Sequence, residues 1–424
     1  MIFVLRNSWA LLLGMMLLML GNGMQGTLLG IRGNIEQFST LQMSIVMSCY
    51  FVGFLFGSRI TPDMIRRVGH VRVFAALGSM ISAVLILYAA APDWIAWALM
   101  RVIIGFSFSG VYITAESWLN NAATNETRGQ ALSLYLIVQM IGIIAAQLLL
   151  NVGDPSGYIL FVIPSVLVSL AFTPILLSVS QAPAFASTKP LSFRRLFQAS
   201  PLGCVGMFLL GGVFSAQFGM ASVWGTQAGL SVRDISIFVA FIYVGGLLLQ
   251  YPIGWISDRM DRRKVVLWLS AFGGVALMVP VVWGLLPIDR PAPFVLLVVI
   301  GAIGGGISNP LYSLLLAYVN DYLDNSDMAA ASAGLMFING LGAIGGPILT
   351  GYLMAGMGPD GFFFFMAILF AMLAAYTAWR MTRRRQTPTA QGGFTAVTPS
   401  ISVIGVEAAL EKSEEALRRG ASQP

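Results

Sequence analysis

Charge is what this 424-residue sequence has least of: Asp, Glu, Lys and Arg together make up 10% of it, where soluble domains run near ~25%. So thin a polar coat excludes a soluble globule. There is one histidine, His70, and there are two cysteines, Cys49 and Cys204. Both cysteines fall inside apolar runs, so they offer neither a disulfide framework nor a ligand spacing. His70 stands in a basic stretch and reads as a solvated residue. With no His, Cys or acid cluster, neither a metal nor another cofactor is expected. The chain has no Gly-Lys-Ser/Thr phosphate loop, which argues against ATP as an energy source. It has no Ser/His or His/Glu constellation either, so an enzyme is not expected.

What the chain has instead is apolar length. Hydrophobic residues make up 57% of it, and the mean hydropathy is +0.81. Crossing a bilayer takes about 20 helical residues. Twelve runs qualify, at roughly 9–31, 42–61, 72–91, 94–118, 129–151, 157–179, 202–228, 235–256, 265–286, 293–318, 330–355 and 362–380. The first, preceded by Arg6, is longer than a signal peptide, has no A-x-A-like cleavage site, and reads as a retained span. The 46 glycines suit helices that pack closely in lipid. The expected fold class is therefore an all-α, multi-pass membrane protein.

The cations orient it. With the N-terminus inside, Lys and Arg number 17 on inner segments and three outside, these being Arg32, Arg233 and Arg290. The positive-inside rule then places both termini in the cytoplasm. Because the formal charge of +6 sits in loops, no nucleic-acid partner is expected. The chain also repeats. FSTLQMS (Phe38–Ser44) returns as LSVRDIS (Leu230–Ser236), and Gly53 meets Gly245 at the same shift. Gly105 meets Gly305, Asn120 meets Asn320, and Gly142 meets Gly342. This divides the chain into a first six-helix half (1–179), a cytoplasmic linker (180–201), a second half (202–380) and a cytoplasmic tail (381–424). LSFRRLF in the linker could lie on the inner leaflet. The tail reads as mostly disordered and solvated to about Val403, with VEAALEKSEEALRR as a surface helix.

GWISDRMDRRK (Gly254–Lys264) is far too polar for a bilayer core and must be a tight loop at the inner surface. Its pattern resembles the loop signature of the major facilitator superfamily, with Asp261 where that family usually has glycine. The resemblance implies two parallel six-helix halves with a substrate cavity between them. It also implies a latch in which an Asp–Arg pair holds helix ends in one of two gate states. Asp258, Arg259 and Arg262 fit that role. In the first half Arg66 stands where the motif has its Asp, and Pro62 replaces the glycine, leaving Asp63 with Arg67 as substitutes. RGNIEQFST, ESWLNNAATNETRGQALSLY (Glu116–Tyr135) and NPLYSLLLAYVNDYL (Asn309–Leu323) look like the YcaD-like branch of bacterial permeases. That branch implies a permease of the bacterial inner membrane; the expected partners are a small-molecule substrate, the lipid bilayer and protons, and the expected working form is a monomer.

Polar residues within the spans nominate the site. In span four Arg101, Gly105, Ser109, Tyr112 and Glu116 fall within about 80° of one helical face. An Arg on a lipid face costs roughly 2.5 kcal/mol or more, so this stripe must face protein or water. Arg101 followed by Gly105 resembles the fourth-helix signature of proton-coupled members, where the Arg influences protonation of a nearby acid. The other reading is that Arg101 ties helices together through carbonyls. Glu116 either closes a cytoplasmic latch with Arg66, Arg67 or Arg72, or carries the coupled proton. Spans one, seven and ten add Asn22, Gln25, Gln217, Trp224, Asn309 and Tyr312. In the family these spans, with span four, line the cavity. Span eleven holds Gly340, Gly342, Gly345, Gly346, Pro347 and Gly351. A similar pattern marks drug antiporters in span five, which lacks it here. The expected function is secondary active transport of a small solute by alternating access, coupled to protons. The alternatives are an uncoupled facilitator and a transporter-like sensor or scaffold.

Overall fold

The computed structural model describes residues 2–122, 128–177, 193–286, 292–323 and 325–383, together with 396–397, 401–402 and 405–406. The expectations for linker residues 180–192 and for a surface helix from residue 407 onward lie outside them. Regular structure among the described residues is helical. The first six helices are α1 (Ile2–Ile35), α2 (Thr40–Val68), α3 (His70–Ala90), α4 (Trp94–Ala122), α5 (Arg128–Leu149) and α6 (Ile159–Leu177). A short α7 (Phe193–Ala199) follows, then α8 (Pro201–Ser215) and α9 (Ala221–Gln227) with a π-helical turn (Ala216–Met220) between them. The rest are α10 (Val232–Ser257), α11 (Arg262–Leu285), α12 (Phe294–Asn320), α13 (Asn325–Met357) and α14 (Asp360–Arg383).

Eleven helices are long and apolar enough to cross a membrane, counting α8, the π turn and α9 as one. The expected span 157–179 corresponds to α6, a helix of 19 residues that carries Pro164 and Pro174 and is not one of the eleven. The bundle therefore gives eleven full-length spans among the described residues, where the hydropathy of the sequence suggests twelve.

Ladder ends are set by ordinary capping. Ser39 accepts from the Gln42 amide while the Gln42 side chain accepts from the Ser39 amide, a closed capping box that starts α2. Ser231, its counterpart in the repeat, accepts from the Asp234 amide and starts α10. Pro62 does not end α2, which runs on to Val68. Gly69 alone then links it to α3, at φ +84°, a left-handed value that suits a residue without Cβ. The basic segment 66–72 is thus the end of one helix and the start of the next rather than a loop.

Glycines decide which helices meet. A side-chain carbon at Gly53 would strike the Val102 carbonyl and one at Gly105 the Tyr50 carbonyl, so α2 and α4 cross backbone to backbone. The crossing of α10 and α12 matches it, Gly245 against the Ala302 carbonyl and Gly305 against that of Ile242. Gly142 lies on Met19 of α1, and Gly342 on the Phe208 carbonyl of α8. The two sets of helices meet along α2 and α13, where Ser44 faces Gly351, Leu55 faces Gly340 and the Arg59 guanidinium lies 4.3 Å from the Phe337 ring centre.

Candidate functional site

Arg101 sits fully buried in α4 and heads a chain of polar contacts into α1. Its Nη1 donates to Gln25 Oε1 at 3.0 Å, Gln25 Nε2 to Asn22 Oδ1 at 3.3 Å, and Asn22 Nδ2 to the Tyr112 hydroxyl at 3.1 Å. The chain thereby returns to α4 three turns further along and joins four of the residues nominated from the sequence. On its α2 side Arg101 packs against Met47 Sδ at 3.3 Å and the Tyr50 ring at 4.9 Å. These partners are neutral, so the positive charge is held by dipoles and a π face. Arg101 Nε has no hydrogen-bond partner among the described residues. Not every residue of the stripe joins in. Gly105 and Ser109 face α2, with Ser109 Cβ against Gly57.

The π turn brings the other helices to this point. A π turn holds one residue more than an α turn, which shifts the faces of the residues on either side. Gln217 therefore reaches α12, where its Oε1 accepts from the Ser308 hydroxyl at 2.9 Å. The next two residues turn toward α2: the Phe218 ring lies 5.4 Å from that of Tyr50, and Gly219 packs on Met47. Phe218 and Tyr50 were not nominated. Aromatic residues are common throughout these spans, and nothing in the pattern predicts a π turn.

Other nominated residues have packing duties. The Trp224 ring lies 4.5 Å from Phe238, 5.4 Å from Phe362 and 5.0 Å from Phe363 in an aromatic cluster. Asn309 turns back to the Gly305 carbonyl of its own helix at 3.1 Å. The Tyr312 hydroxyl is buried without a hydrogen-bond partner among the described residues.

The charged ends also depart from expectation. Asp63 pairs with Arg66 three residues on, at an exposed helix end, and Arg67 is exposed beside them. That pair bridges no two helices. His70 is not solvated: it is buried, with Nε2 2.9 Å from the Ser117 hydroxyl of α4. In the second copy Arg262 is almost fully buried and its Nη1 lies 2.6 Å from both carboxylate oxygens of Asp321, at the end of α12. Asp258 is 3.8 Å from Arg262 and plays the lesser part. Arg259 stays on its own helix, 4.1 Å from the Trp255 ring centre. Asp261 caps α11; burial pushes its carboxyl up, but hydrogen bonds from Arg263 outweigh this and hold it below its ordinary value. The signal for Asp321 was its place after Asn320, at the end of a span facing a basic loop.

Glu116 requires the largest correction. It is buried and pairs with none of Arg66, Arg67 and Arg72 among the contacts described. Its Oε1 accepts from the Tyr135 hydroxyl of α5 at 3.1 Å, and its Oε2 from the backbone N–H of Ser402 at 2.7 Å. Ser402 belongs to the tail that was expected to be solvated. The short α7 has its Leu196 buried, the Phe193 ring 5.2 Å from that of Phe337, and Arg195 paired with Asp327 at 2.8 Å. It packs on α13.

Eleven apolar helices long enough to span, enclosing a polar chain headed by a buried cation, are the build of a multi-pass membrane protein. The chain belongs to the major facilitator superfamily: the model of that family matches residues 11–241 and 203–419. The Escherichia coli protein described as "Uncharacterized MFS-type transporter YcaD", from strain S88 of O45:K1, is 28% identical over 391 residues, covering 87% of this chain and 93% of its own. Among solved structures, a mutant of the nucleoside transporter NupG superposes with a TM-score of 0.76 at 16% identity, over 88% of this chain and 99% of that one. A bacterial homologue of the human lysosomal transporter Spinster, in an inward-facing and occupied conformation, gives 0.71 at 16% identity, over 90% and 98%. These likenesses establish the fold.

Proposed function

We propose that this protein is a secondary active transporter of a small solute, working by alternating access of two six-helix halves and coupled to protons. Its termini lie on the cytoplasmic side of a bacterial inner membrane. The observation that carries this reading is Arg101, a cation buried within a span and held by neutral partners at the head of the chain Gln25, Asn22 and Tyr112. Such a group is expensive in a membrane and is retained where a pathway needs it. The matched crossings of α2 with α4 and α10 with α12 support two halves built alike, able to rock against each other as rigid bodies. The family and the transporters that share the fold point the same way.

An uncoupled facilitator is the second reading. It is favoured by the scarcity of acids, since Glu116 is the only buried carboxylate residue among the described spans. One experiment separates the two. A thermal-shift screen of small metabolites on purified protein selects a solute, whose uptake is then followed in proteoliposomes with and without an imposed pH gradient. Accumulation that requires the gradient is expected. Uptake that only equilibrates, whatever the gradient, means a facilitator. A solute that binds but never crosses means a sensor.

A further inference from the structure

The described parts of the C-terminal tail are packed into the bundle. Val397, Ile401 and Val406 are 1%, 1% and 0% exposed, as deeply buried as the core of the spans. Two anchors hold the segment, one from each half. On α4, Glu116 takes the Ser402 N–H. On α12, the Ser313 hydroxyl lies 2.9 Å from both the N–H and the C=O of Val397 and accepts from Gln250 of α10 at 3.0 Å. The fit is close, since a side-chain carbon at Gly405 would lie 2.5 Å from Glu116 Oε2 and 2.6 Å from Ile401 Cγ1. The Val406 N–H closes a turn on the Ser402 carbonyl at 3.0 Å. Branched aliphatic side chains buried beside satisfied backbone groups are what a specific docking site for a peptide requires.

Glu116 and Ser313 both lie toward the C-terminal ends of their helices, the ends that meet His70 of α3 and Arg262 of α11, on the two spans that in this family flank the pathway between the halves. We infer that the docked tail residues, 396–397, 401–402 and 405–406, act as an autoinhibitory plug: they occupy the cytoplasmic end of the pathway and must leave before the protein can cycle. The inference rests on the proposed transport reading for the word inhibitory, but not for the docking itself. With the segment in place, a solute cannot pass to the cytoplasm between α4 and α12. Nor can the two helices draw together to close that end, since buried side chains stand between them. Both halves of an alternating-access cycle are therefore blocked by one strap. Its release also strips Glu116 of an N–H donor, leaving a carboxylate with Tyr135 as its remaining described partner. The plug thus controls the one buried acid within the described spans as well as the passage.

The test needs no transported solute. Ser313→Cys is introduced into full-length protein in which Cys49 and Cys204 are changed to Ser. Labelling by a membrane-impermeant maleimide is followed in inside-out vesicles. Labelling follows the undocked fraction, so ending the chain after Arg385 should speed it by about tenfold or more. Gly405→Leu in the full chain should do the same, and a synthetic peptide of residues 394–408 added to the shortened chain should slow it again. Equal slow rates in the full and shortened chains would overturn the plug. Should the thiol at position 313 itself loosen the tail, the double variant Ser313→Cys, Val397→Cys decides. Its disulfide, found by mass spectrometry of the joined peptides, is expected in the full chain, and its absence under oxidation rejects the docking. None of these outcomes bears on whether the chain is a transporter. That is judged by the proteoliposome assay.

Discussion

Two arginines of similar burial solve the problem of a buried cation differently. Arg262 has carboxylate partners, with Asp321 at 2.6 Å and Asp258 at 3.8 Å. Removing one member of a buried ion pair costs about 3–5 kcal/mol, mostly because the other is left uncompensated. Asp321→Asn should therefore lower the melting temperature of the purified protein clearly more than Asp258→Asn, whose carboxylate is half exposed. Equal shifts would mean that Arg262 is held by the Ala317 carbonyl and its packing. Arg101 has neutral partners, so its removal leaves no orphaned charge and should spare the fold while emptying the site. Arg101→Ala is expected to cut solute uptake by about tenfold or more at matched membrane abundance, whereas Arg67→Ala, at an exposed helix end, should stay within about twofold. The reverse order would make Arg101 a structural tie.

At the scale of elements, what was legible in the sequence was what repeats or acts locally. Ser39 and Ser231 cap equivalent helices because capping depends on residues three apart. Gly53, Gly105, Gly245 and Gly305 mark the crossings because only glycine lets two backbones touch. Asn22, Gln25, Arg101 and Tyr112 could be nominated because polar residues stand out in an apolar helix, and the structure joins all four. What was illegible depended on distant partners. Glu116 and Ser402 are 286 residues apart, and no pattern near Glu116 announces a tail. The π turn depends on packing against other helices, and so does the aromatic cluster around Trp224, whose partners Phe362 and Phe363 lie far along the chain. The crossings themselves are testable. Gly245→Ala places a carbon on the Ala302 carbonyl and should lower yield and melting temperature, whereas Gly345→Ala, with open space around it, should be neutral or gain a few tenths of a kcal/mol, up to about 1, from helix propensity. Equal loss in both would remove the case for glycine-directed packing.

For the whole molecule, the contact of α2 with α13 runs from Ser44 and Gly351 at the end away from the basic cluster to Arg59 and Phe337 near it. If the halves rock, the far end of this seam must part in the alternative state. A carbon built at Gly351 would lie 2.5 Å from Ser44 Cβ, so cysteines at the two positions reach disulfide geometry once the backbones part by about 1 Å or slightly more. The pair Ser44→Cys, Gly351→Cys is expected to stop uptake on oxidation and restore it on reduction. Full activity with the bond formed would mean that this end stays shut throughout the cycle.

The spacing of partners along the chain also orders events in time, because a chain is made and inserted from its N-terminus. Gln25, Met47 and Tyr50 all precede Arg101, so the membrane already holds the groups that receive its charge when α4 arrives. Arg262 comes 59 residues before Asp321 and must wait at the basic surface, where water can hold it, until α12 is in place. The Glu116 contact with Ser402 closes last, after every span has been synthesised. The newborn protein therefore folds its spans around an open Glu116 carboxylate, and the Ser402 N–H reaches it only afterwards.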